Sequence, residues 1–161
     1  MRLLPIIMMS LLTAVAADDP GGWTAAKWGM TDDQLLAAFP GQAARLDPPD
    51  AGAHVHIKPL QLSGADFHVL FQSDKDGRLT SVLLSPIGQP PQGYDLLFQS
   101  LQNLLSEKYG RPWKSDSADK TEFQWSLKTT IISLSRIQIA GLSPQIINLH
   151  YRQKPADLDK M

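Results

Sequence analysis

The spacing of apolar residues changes several times along the chain, and each change marks an element. Thr31 to Phe39 carries Leu35, Leu36 and Phe39 at helical spacing, closed by Pro40-Gly41. Thr31 stands three residues before Gln34, which is the pattern of a capping box, and Asp32 and Asp33 fall in the first turn, where the helix dipole favours negative charge. This predicts a short first helix. Residues 45–52 contain Pro48, Pro49 and Gly52 and read as a loop.

The period then becomes two. His54 to Leu62, Asp66 to Gln72 and Arg78 to Ser85 alternate apolar and polar residues, with turn signals at Ser63-Gly64 and Asp74-Lys75-Asp76-Gly77. They predict an antiparallel meander of three strands. After a Pro- and Gly-rich link over 86–93, Tyr94, Leu97, Phe98, Leu101, Leu104, Leu105 and Lys108 follow the i, i+3, i+4, i+7 spacing of a one-sided helix. Gly110 is placed as its stop, with Pro112 beyond. Lys114 to Lys120 reads as a polar loop. Three further strands follow at Thr121 to Leu127, Thr130 to Gln138 and Gln145 to Arg152, with turns at Lys128-Thr129 and Gly141 to Pro144.

The expected fold class is therefore α+β: a helix plus a three-stranded antiparallel meander, repeated in tandem. The two similar halves would be residues 23–86 and 90–155, within one domain over 18–155, with a frayed tail at 156–161. Gln34 to Gly41 and Asn103 to Gly110 echo one another at the two helix ends. Three-stranded units of this size are marginal alone. The two sheets are expected to join edge to edge, or both helices to pack on a common sheet.

The first 17 residues have a different character. Arg2 is followed by an apolar run of about 15 residues, short of the ~20 needed to span a bilayer as a helix, and then by Ala14-Val15-Ala16-Ala17. A basic start, a short apolar core and small residues before a cut are the parts of a secretory signal. Cleavage is expected near Ala16 or Ala17, delivering the protein to the periplasm or the medium. No cysteine occurs, so neither a lipidated cysteine nor a disulfide is available, and an apolar core must hold the domain together. No later stretch reaches membrane-spanning length. Beyond the leader the chain carries 16 acidic residues and one fewer than the 15 basic residues of the whole. No basic block exists, which argues against nucleic acid as a partner.

Candidate chemistry is sparse. His54, His56 and His68 are expected on one strand face, because even-numbered positions there point away from the core. Pairing across Ser63-Gly64 would set His56 near Gln72. His68 would then lie about 13 Å further along the strand, too far to share an ion. A metal site is not expected. Asp74-Lys75-Asp76-Gly77 lacks the further oxygens calcium needs and reads as a hairpin turn. Gly-x-Ser-x-Gly and Gly-rich phosphate loops are absent, and Glu107 and Glu122 are the only glutamates. No catalytic residue and no cofactor is assigned. Of the four tryptophans, Trp125 is expected in the core, Trp28 and Trp113 as clamps at helix ends, and Trp23, in a loose lead-in, as exposed. Trp23, His54, His56 and His68 are thus the candidate binding surface. If the protein instead used a pocket between the halves, for a small molecule or for hydrolysis, Tyr94, Arg111, His54 and His56 would be the first suspects.

Trp28-Gly29-Met30-Thr31-Asp32-Asp33-Gln34-Leu35 resembles the opening of small proteobacterial periplasmic proteins in which Trp-Gly-Met-Ser/Thr begins a helix that precedes a meander. The helix-plus-meander plan is similar to that of the beta-lactamase inhibitor protein and of the small lipoprotein of the outer-membrane barrel assembly machinery. This chain lacks the lipidated cysteine of the second and the paired cysteines of the first. The resemblance implies a binding or scaffold role, and no functional residue is carried over. The expected partner is an envelope or secreted protein.

Overall fold

The computed structural model describes residues 18–138, 140–141 and 145–156. The signal peptide read at 1–17, most of the turn read at Gly141 to Pro144, and nearly all of the tail read at 156–161 lie outside the described residues.

The elements run β1 (Gly22–Trp23), β2 (Ala26–Lys27), α1 (Asp32–Ala38), β3 (Ala43–Asp50), β4 (Ala53–Leu62), β5 (Ala65–Ser73), β6 (Leu79–Pro86), α2 (Tyr94–Tyr109), β7 (Trp113–Asp116), β8 (Lys120–Ser126), β9 (Thr130–Ile137) and β10 (Ile146–Gln153). β1 and β2 form a small ribbon. The other eight strands form one antiparallel sheet in the order β3-β4-β5-β6-β10-β9-β8-β7. Of the described residues about 49% are in strands and about 17% in helices, so the fold is mostly β.

This overturns the expected plan of a helix and three-stranded meander repeated twice. Two strands of this eight-stranded sheet were hidden in segments that read as loops, and they are its two edges. β3 contains Pro48 and Pro49, which cannot donate to a ladder and are tolerated where one side has no neighbour. Its register with β4 slips between Arg45 and Asp50. β7 is four residues long and polar, and it pairs with β8 from Trp113↔Gln124 to Asp116↔Thr121. β6 pairs with β10 through Val82↔Tyr151 and its neighbours, so the two meanders join edge to edge, as expected, into one sheet.

Alternate residues of six central strands build the core. Val55 and Ile57, Phe67, Val69 and Phe71, Val82 and Leu84, Ile147, Leu149 and Tyr151, Ile132 and Leu134, and Phe123 and Trp125 are all buried in one cluster. The helices lie on this face. α2 contributes Leu97, Phe98, Leu101, Leu105 and Tyr109. Phe98 packs at a tilt against Phe123, 5.7 Å between centroids, and the Trp125 indole donates to the Gly110 carbonyl at 2.8 Å. α1 has the capping box read from Thr31 and Gln34. It buries Leu35, and Phe39 at its end stacks with Trp23 and Phe71.

The lead-in is not loose. The Asp19 carboxylate accepts from the Thr130 hydroxyl at 2.8 Å and from the Thr129 amide, and the Trp28 indole donates to the same Thr130 hydroxyl at 3.1 Å. Burial acts to raise Asp19, but these hydrogen bonds together with that of the Gly21 amide outweigh it and hold the carboxyl below its ordinary range.

Candidate functional site

With both helices on one side, the other face of the sheet has no covering element among the described residues. Side chains alternate across a strand, so the register dictates what this open face presents. One row crosses seven strands: His56, Leu70, Leu83, His150, Ser133, Gln124 and Trp113, each the direct cross-strand partner of the next. The adjoining row holds His68, Ser85, Asn148, Ser135, Glu122 and Ser115, with Ser85 donating to Asn148 at 2.8 Å.

The middle of the face is hollow. A cavity of about 500 Å³ is lined by Leu83, Glu122, Ser133, His150 and Arg152, among others. Lys120 and Glu122 form an ion pair at 2.6 Å on its side. Two polar atoms at its base have no hydrogen-bond partner among the described residues: Ser133 Oγ and His150 Nε2. Ser133 is only 6% exposed. Buried polar atoms are almost always paired, so two orphans on facing residues mark a place left unfinished by the chain itself. Burial, with the charge of Arg152 adding to it, pushes His150 down to about 4. It is therefore neutral at pH 7, with one nitrogen able to donate and the other to accept.

The structure brings together some of the residues expected to form a contact surface and separates others. His56 Nδ1 and His68 Nε2 are hydrogen-bonded at 2.9 Å, not 13 Å apart. Ile57 faces Val69 while Leu60 faces Phe67, so Lys58 and Pro59 together oppose one residue. This bulge moves the register by one and brings the histidines onto diagonal positions of one face. Burial lowers His68, and the charges of His56 and Lys58 add to it. No cluster of three or more His, Asp or Glu side chains suited to a metal occurs among the described residues. His54 does not join the pair. It reaches Asp32 at the start of α1, at 3.2 Å.

Trp23 and Trp113 exchange the roles expected of them. Trp23 is 8% exposed, in the core, and cannot be a contact residue as it stands; Trp113 is 62% exposed, at the edge end of the open-face row. The signal for Trp113 was present in the sequence: Trp113 and Trp125 flank a short turn, and pairing Trp113 with Gln124 puts it on the face opposite Trp125. Reading 114–120 as loop concealed that pairing. Ser133 and His150 were missed because neither forms a motif; only cross-strand register makes them neighbours.

Among the pocket suspects, Tyr94 lines a separate cavity of about 540 Å³ with Ser85, Gln145 and Asn148, while His54, His56 and Arg111 line neither that cavity nor the central hollow. Ser117 and Lys120 have Ser-x-x-Lys spacing, but they form the β7–β8 turn: the Ser117 hydroxyl donates to the Lys120 carbonyl and the Lys120 amine is held by Glu122. Compared with family models, curated proteins and solved structures, the chain matches none. No helix among the described residues is long and apolar enough to cross a membrane.

Proposed function

We propose that the protein is an exported periplasmic binding module, of the envelope-inhibitor or immunity type, whose contact surface is the open face of the eight-stranded sheet. The observation that carries this reading is the row from His56 to Trp113. It combines an exposed tryptophan at the rim, the half-buried Leu83 as an apolar contact, and polar atoms of Ser133 and His150 without partners among the described residues at the centre. Tryptophan is enriched among residues that dominate binding energy, and well-packed central pockets hold the anchors. A partner side chain entering the central hollow would supply the missing hydrogen bonds. The exported location is carried by the leader pattern of residues 1–17, and the absence of cysteine is compatible with it.

The test is capture of a binding partner from periplasmic extract by the wild-type protein and by face-specific variants. Trp113→Ser and Ser133→Arg are expected to lose the captured protein, whereas Leu96→Ala, at an exposed position on α2, retains it. Capture that survives both open-face substitutions removes this face from the function.

A further inference from the structure

On the covered side of the sheet the two helices leave a gap. α1 has 7 residues and α2 has 16, and between the end of α1 and the flank of α2 lies a cavity of about 420 Å³. Its floor is Leu149 and Tyr151 of β10. Leu101 and Leu105 of α2 form one wall, and Trp23 and Phe39 form the other. All six are buried. The mouth is different. Leu104 stands there 45% exposed, and Lys108, four residues on, stands beside it on the same helix flank. Lys108 is the only charged residue of the lining, and no acidic side chain among the described residues pairs with it.

An apolar cavity of this size with few polar groups at its mouth fits the general form of a small-molecule site. Its chemistry restricts the occupant further. Most of the lining is apolar, with Thr24, Gln42 and Gln61 among its few polar side chains; apolar cavities accept apolar guests, so the body of a ligand here must be apolar. The Lys108 ammonium lies 5.2 Å from the centroid of the Tyr109 ring, and a ligand carboxylate would add the anionic partner that it lacks among the described residues. We propose that this cavity takes the chain of an aliphatic carboxylic acid, with its carboxylate at Lys108. The volume suits a medium-length chain, on the order of ten carbons. This site lies on the opposite side of the sheet from the open face and stands or falls independently of it.

Decanoate and 1-decanol, titrated separately into the purified protein and followed by amide NMR shifts, test the proposal. Decanoate is expected to saturate one site, with the largest shifts at Leu101, Leu105 and Tyr151. Leu104→Glu, at an exposed position that the fold tolerates, is expected to weaken both ligands at least about tenfold, because a carboxylate at the mouth must be desolvated by either chain. Lys108→Gln is expected to weaken decanoate about five- to tenfold and leave decanol within about twofold. Leu96→Glu, on α2 but outside the cavity, is expected to change neither. Absence of saturable shifts, or equal weakening by Leu96→Glu and Leu104→Glu, overturns the site. Equal loss of acid and alcohol in Lys108→Gln overturns the anionic head. Sedimentation showing a wild-type dimer that Leu104→Glu separates, with no decanoate shifts, gives the cavity to a second copy of the chain and overturns the ligand.

Discussion

The two faces of the sheet are made by the same strands and obey opposite rules. On the covered face every central strand sends apolar side chains into one cluster, many of them without any exposed area. On the open face the intervening residues include Ser81, Ser85, Ser133, Ser135, Gln124, Asn148 and three histidines, with polar atoms left unpaired in the middle. Because the side-chain period is two, a one-residue slip would exchange the faces. The covered face therefore fixes the register, and the open face is free to vary in chemistry at little cost to the fold. Stability is written on one set of alternate positions, and the proposed recognition on the other.

The sharpest way to break that contrast is to cut into the covered face. Phe71 is fully buried and touches both Trp23 and Phe39. Phe71→Ala removes the ring that joins the lead-in, α1 and the sheet, and is expected to cost about 3–5 kcal/mol in urea unfolding. A loss below about 1 kcal/mol would mean that this aromatic cluster does not hold the N-terminal segment to the sheet.

The next effect tests whether the open face is neutral to stability, and His150 is where it is not. Its folded pKa is about 4, against an ordinary value of 6.5. Between these values the unfolded chain binds a proton that the folded chain refuses. Stability is therefore lost as pH falls from about 6.5 towards 4, and is unaffected by this group above that window. The full linkage is reduced because the ring is partly reached by solvent, leaving about 2 kcal/mol. His150→Gln is expected to remove this component. Unfolding midpoints of wild type and variant, compared at pH 7 and pH 4.5, check it: the difference between the proteins must shift in favour of the variant at the lower pH.

How much of this was legible in the sequence depended on how many neighbours each segment has. Both helices, the Thr31–Gln34 capping box and the six inner strands could be read, because a strand buried on one face must alternate and a helix lying on a sheet must carry a stripe. β3 and β7 could not be read. Edge strands have a ladder on one side only, so Pro48, Pro49 and the polar run Lys114-Ser115-Asp116 are compatible with them. The site was less legible than the fold. His56 and His68 were recognised as sharing a face, but the bulge at Lys58-Pro59 that brings them into contact leaves no periodic trace. Ser133 and His150 are 17 positions apart, and nothing local ties one to the other.

A smaller effect separates local from tertiary contributions. Thr31→Ala removes the side chain that accepts from the Gln34 amide at 3.3 Å and opens the capping box. The expected cost is about 1 kcal/mol. With only 7 residues α1 has little helical stability of its own, so the loss should concentrate there. Amide exchange that quickens in α1 and leaves β8 and β9 unchanged is the expected pattern; uniform quickening would show that α1 opens only with the whole domain.

The smallest effect on stability is expected at Trp113, and it bears most directly on the contrast between the faces. Trp113 and Trp125 lie on adjacent strands, and the register sends them to opposite sides: Trp125 is buried against α2 with its indole bonded to Gly110, whereas Trp113 stands in solvent. Exposed substitutions away from caps and cores usually move stability by less than about 0.5 kcal/mol. Trp113→Ser is expected to stay within that range while Trp125→Ala loses several kcal/mol, although both remove an indole. If Trp113→Ser instead unfolds the protein at markedly lower urea, the ring must be packing against something in solution, and the open face is not open. If it is neutral in stability and abolishes capture of the partner, the indole is retained for contact with another molecule, since the fold itself makes no use of it.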